Sequence, residues 1–126
     1  MKTFVAILIA LVIFLGLSIW NTIYLTRTSD ELANQAEKVR AALSDEEWGD
    51  TDTEIKNLRQ TWGKHKKTWL LLVEHSDIDS IDRTIFRVDE LIRHKDKEQS
   101  LADLAELRFL VQDLADKEVL SLANIF

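Results

Sequence analysis

The stretch WGDTDTEIKNLRQTWGKHKKTWLLL, residues 48–72, decides the fold. Trp48, Ile55, Trp62 and Trp69 recur at every seventh position, and Leu58, His65 and Leu72 follow the last three of them at an interval of three. That pattern places these side chains along one seam of an α-helix, at the a and d positions that meet facing helices. Large aromatic knobs pack against small residues, and the alanines of the first and fourth predicted helices supply them. Gly63 costs about 1 kcal/mol relative to alanine within a helix, so its place beside Trp62 calls for either a close helix approach or a slight bend.

Upstream, Leu32, Ala36, Val39 and Leu43 form a helical stripe over about Ser29 to Leu43. Nothing between Leu17 and Leu43 breaks a helix, so this element can run straight out of the apolar segment before it. Ser44 with Glu47 has the capping-box spacing and predicts the start of the second helix, with Asp45, Glu46 and Glu47 suited to the positive end of its dipole. Downstream, Ser76 reads as the cap of a third helix with Asp77 and Asp79 in its first turn. Ile78, Ile81, Ile85, Val88 and Ile92 form its buried stripe, widened by Leu91, and Arg93, His94 and Lys95 suit its C-terminus. Asp96 and Gln99 predict a further capping box. The fourth helix buries Leu101, Leu104, Leu107, Val111 and Leu114, with Ala105 and Leu110 alongside. Beyond Asp116, the side chains of Val119, Leu120, Leu122, Ile125 and Phe126 are too apolar to stay in water and should fold back on the bundle or meet a partner.

The 126 residues include no proline, no cysteine and three glycines. This excludes disulfides, thiol nucleophiles, thiolate metal sites and the usual phosphate-cradling loops, and it favours long helices. Of the 16 Lys and Arg only Lys2 precedes residue 27, and all 22 Asp and Glu follow it, so residues 27–126 carry a net charge of −7. Such a balance disfavours nucleic acid and anionic lipid surfaces as partners.

Thr3 to Thr26 contains no charged side chain and is bounded by Lys2 and Arg27. As a helix it covers about 36 Å, enough for a hydrocarbon core of roughly 30 Å. Trp20 and Tyr24 fall where the span meets headgroups. A cleaved signal peptide is the rival reading, but the apolar character continues past Gly16 and Ser18, the only small-residue pair suited to cleavage, which favours a retained anchor. The basic start favours an inside N-terminus and an exported C-terminal domain, against Arg27, Lys38 and Arg40 on the far side. Ala6 and Ala10 have the small-xxx-small spacing of helix pairing in lipid, a spacing that ordinary lipid-facing alanines also meet.

The expected architecture is therefore all-α: an N-terminal single transmembrane helix, residues 1–26, followed by an up-and-down antiparallel bundle of about four helices, residues 27–126. The bilayer is the partner of residues 4–26.

Few residues offer chemistry. Glu74, His75, Asp77, Asp79 and Asp82 contain donors suited to a hard or borderline cation, but an acid-rich helix start explains the same cluster. His65, on the seam between Trp62 and Trp69, could ligate haem or a small molecule; an imidazole there is ordinarily buried and hydrogen-bonded. Lys64, Lys66 and Lys67 read as a solvated face rather than a nucleic-acid surface. No nucleophile elbow, thiol or phosphate loop is present, and no enzyme is expected.

The short basic start, the single span, Trp48, the Trp62-xx-His65-Lys66-xx-Trp69 stretch, Glu74-His75 before an Ile-rich helix, and the closing Asn124-Ile125-Phe126 together resemble the domain-of-unknown-function family four-three-six-three. These are small membrane-anchored helical proteins of Gram-positive, often endospore-forming, bacteria. The resemblance covers nearly the whole chain and implies no catalytic role, cofactor or ligand for any residue. The expected function is a non-enzymatic membrane-anchored interaction module at the outer membrane face, contacting a membrane-protein partner or a second copy of itself, with Trp48, Trp62, Trp69, Ile125 and Phe126 as core or contact residues. The alternative is an extracytoplasmic sensor or carrier of a small ligand or metal, using a pocket near His65 and the tryptophans, with His75, Asp79 and Asp82 as further ligand candidates.

Overall fold

A computed structural model describes residues 1–125, apart from the side chains of Leu122 and Ile125. Four helices follow one another: α1 (Lys2–Ser44), α2 (Trp48–Leu72), α3 (His75–Arg93) and α4 (Lys97–Ile125). The expected span and the expected first bundle helix are one continuous rod. With no proline to interrupt it, α1 stays helical over 43 residues. Its exposed apolar surface runs from Phe4 to Ile23, and its buried stripe begins at Leu25 and continues through Thr28, Ser29, Leu32, Ala36, Val39 and Leu43.

The second half of α1 and the three other helices form an up-and-down bundle. α1 packs on α2 and α4, and α3 packs on the same two, while α1 and α3, like α2 and α4, lie across a diagonal. The core matches the sequence pattern closely. Ile55, Leu58, Trp62, His65 and Trp69 of α2 are buried, as are Ile78, Ile81, Ile85, Val88 and Ile92 of α3 and Leu104, Leu107, Val111 and Leu114 of α4. Trp48 and Leu72, at the ends of the seam, are half-buried against that core. Ala105 departs from expectation: one step past Leu104 it turns onto the outer surface, and Ala115 takes the buried alanine position on α4. Because α4 lies across the diagonal from α2, the buried alanines on a helix adjoining α2 are Ala33 and Ala36 of α1.

Two of the predicted caps are corrected. Ser44 is the last residue of α1, and Glu47 precedes α2 without a side-chain cap bond. Ser76 lies inside the first turn of α3, which Glu74 precedes. Backbone closure at the end of α1 explains the first difference. Glu46 N–H donates to Leu43 O and Glu47 N–H to Ala42 O, with Glu46 at φ 56°. This is the paired-bond closure usually built on a left-handed glycine. The same closure ends α3, with Lys95 at φ 56° donating to Ile92 O and Asp96 N–H donating to Leu91 O. The predicted cap at Asp96 is present, its Oδ1 accepting from Gln99 N–H at 3.2 Å. Lys97 ties the two like turns together at the distal end, its Nζ donating to Ser44 O and pairing with Glu46, each at 3.2 Å.

The apolar tail does not fold back. α4 continues as a helix through it, leaving Val119 and Leu120 exposed; Leu122, Ile125 and Phe126 lie outside the described side chains. Gly63 is also resolved: a Cβ there would meet nothing within 4 Å, so no close helix approach requires the glycine.

Candidate functional site

The most developed polar arrangement lies where α2 meets α1 at the level of Tyr24 to Glu31. Antiparallel pairing brings the inward seam of α2 against the first buried turns of α1. His65, buried despite its ring, has both nitrogens engaged: Nδ1 is 3.0 Å from the Tyr24 hydroxyl and Nε2 is 3.1 Å from Glu31 Oε2. A carboxylate only accepts, so in the neutral imidazole Nε2 carries the proton and Nδ1 accepts from Tyr24. One turn further along α2, Trp69 Nε1 donates to Thr28 Oγ1 at 2.8 Å, and Thr28 donates in turn to Tyr24 O at 2.9 Å. Trp20 stacks on Tyr24 with ring centroids 5.6 Å apart. Tyr24, expected only at the headgroup level, therefore also joins α2 to α1 at the end of the apolar half of α1.

Trp62 turns to the other side of α2. Its Nε1 donates to Asp82 Oδ1 at 2.6 Å, and Lys66 pairs with Asp82 Oδ2 at 2.6 Å. The rings of Trp62 and Trp69 meet edge to face at 5.6 Å, a favourable geometry for their quadrupoles. A shallow groove of about 540 Å³ opens between α2 and α3, lined by Arg59, Trp62, Gly63, Lys66, Asp82 and Phe86 among others, and it does not include His65.

The ligand candidates thus have separate surroundings. Asp82 is committed to Trp62 and Lys66, His65 to Tyr24 and Glu31, while His75 and Asp79 are exposed at the start of α3. Among the described residues, no three His, Asp or Glu side chains converge on a common point. Trp62 and Trp69 are core, Trp48 lies at its edge, and Ile125 and Phe126 lie outside the described side chains.

Arginine clasps cross three of the four adjacent helix pairs: Arg59 with Asp89 between α2 and α3, Arg87 with Asp103 and Glu106 between α3 and α4, and Arg108 with Glu37 between α4 and α1. Sequence reasoning missed all of them. Helical periodicity places a charge on a face, but pairing it requires the register between helices.

A continuous span-length helix leading into a four-helix bundle fits the family resemblance, and a family model described as Domain of unknown function (DUF4363) matches residues 19–125. The chain belongs to this family. The DUF4363 match begins close to where the α1–α4 packing begins and takes in the whole bundle, including the His65 and Trp69 contacts to α1. No curated protein and no solved structure matches the chain. Within the DUF4363 domain, the Trp-xx-His-Lys-xx-Trp stretch is thus an architectural element: each of these side chains except Lys66 is buried, and all four bond or pair with α1 or α3.

Proposed function

We propose that this protein is a non-enzymatic, membrane-anchored accessory module whose helical bundle binds another membrane protein, with the bundle exported and the N-terminus inside. The continuity of α1 carries this reading. A helix long and apolar enough to cross a membrane is also the first stave of the bundle, so the bundle is held at a fixed height over the bilayer without a linker. The polar side chains at the best-developed cluster bond one another, which suits a scaffold rather than a reaction centre. Phe86 and Phe109 stand about two-thirds exposed on α3 and α4, outside an already complete core, and offer apolar anchors for a partner.

The alternative, a ligand or metal carrier at His65, has less support because Tyr24 and Glu31 occupy both ring nitrogens. Cross-linking in native membranes, extraction in mild detergent and mass spectrometry test the proposal. The expected result is a stoichiometric membrane-protein partner retained by the unaltered chain and lost on Phe86→Asp or Phe109→Asp. Recovery of the chain alone, or with a bound metal or small molecule, counts against it.

A further inference from the structure

The base of the bundle is placed by two hydrogen bonds. Ser29 Oγ donates to Val111 O at 2.7 Å, which fixes the antiparallel register of α1 and α4. At 1.5 Å per residue, Leu120 lies about 13 Å beyond Val111, the same distance that Trp20 lies from Ser29 in the same direction. Glu118 falls at the depth of Thr22, and the last helical residue, Ile125, at about the depth of Leu15. No charged side chain follows Glu118. On α1 at this depth, Leu15, Ser18, Asn21 and Thr22 are half-buried while Gly16, Leu17, Ile19, Trp20 and Ile23 around them are exposed, as expected if α4 covers one face.

The end of α2 reaches the neighbouring level. The Trp69–Thr28 bond sets its register, so Leu71 lies about 3 Å further toward the span. Leu71 is 85% exposed, Leu120 62% and Val119 44%. Outside the apolar half of α1, the other large exposed apolar side chains among the described residues are Phe86 and Phe109. Three of the five large exposed apolar side chains described on the bundle, Leu71, Val119 and Leu120, therefore lie at its span-side end, toward the exposed apolar half of α1.

We infer that the α4 segment from Val119 onward is a second membrane-contacting element, entering the bilayer boundary beside α1, with Leu71 at the headgroup level. Such a segment removes apolar surface from water at the depth where α1 does the same. The inference rests on the membrane-anchor reading, and the test separates the two. The chain has no cysteine, so single substitutions Ile9→Cys, Leu120→Cys and Phe109→Cys, all at exposed positions, each carry one environment-sensitive fluorophore. The full chain is reconstituted in phosphatidylcholine vesicles containing lipid spin-labelled near the carboxyl end of its acyl chain. The expected result is quenching at Leu120 at least half that at Ile9, with none at Phe109. Quenching at Ile9 alone overturns the inference and leaves the anchor standing. Absence of quenching at Ile9 overturns both. Leu71→Cys provides a second report, expected to be quenched less than Leu120 and more than Phe109; a label there that matches Phe109 removes the headgroup contact of α2.

Discussion

Trp69 Nε1 and Thr28 Oγ1 form a buried 2.8 Å hydrogen bond in which one hydroxyl accepts from an indole on α2 and donates along its own helix to Tyr24 O. Thr28→Val preserves the shape and leaves the indole N–H without its partner in a dry site. Removing one partner of a buried pair costs about 1–3 kcal/mol. The expected outcome is a loss of that size in thermal or denaturant unfolding of the full chain in detergent, with Thr28→Ser close to the parent. A Thr28→Val protein as stable as the parent would show that the bond contributes nothing net.

The Tyr24–His65 contact predicts a coupling of similar origin. Tyr24→Phe and His65→Leu each remove one side of a 3.0 Å bond. A double-mutant cycle should return a coupling of about 0.5–1.5 kcal/mol, the ordinary net value of a neutral hydrogen bond. Additive losses would mean that the hydroxyl and the imidazole act independently.

Gly63 stands mid-helix with open space where a Cβ would be placed. Gly63→Ala should therefore stabilise the chain by about 0.5–1 kcal/mol through helix propensity and reduced unfolded-state freedom. The check is the unfolding midpoint, and a decrease would show that the α2–α3 groove needs the glycine.

Burial on α4 holds the Glu118 carboxyl above its ordinary value of 4.5. The folded chain then binds this proton more tightly than the unfolded chain does. The penalty for ionising Glu118 is absent below the ordinary value, and it grows as pH rises through the raised one. Glu118→Gln should raise the melting temperature at neutral pH and leave it unchanged below about pH 4. An equal gain at both pH values would assign the effect to something other than ionisation.

Sequence periodicity carried most of the fold because burial on a helix is a one-dimensional code. The Ile55–Trp62–Trp69 seam and the Ile78–Ile92 stripe are buried as the spacing predicts. Helix ends were less legible. Ser44 and Ser76 have the chemistry of caps, but backbone bonds at Glu46 close α1 without any glycine to signal it, and α3 starts at His75. At the candidate site, the position of His65 on the seam was legible and its partners were not. Tyr24 and Glu31 belong to another helix, and only the packed register brings them to the ring. The same limit hid the destination of Asp82, which looks like a donor for a cation in the sequence and serves Trp62 and Lys66 in the fold.

An unbroken α1 also makes the protein a lever. From Leu25 to Ser44 its bundle arm is about 28 Å long, so a 10° change in tilt of the membrane arm swings the distal turns by about 5 Å. Helices accommodate bilayers of different thickness by tilting. Seated in a bilayer, the bundle would lean with the membrane's thickness, and the Lys97 clasp at its far end would sweep the widest arc.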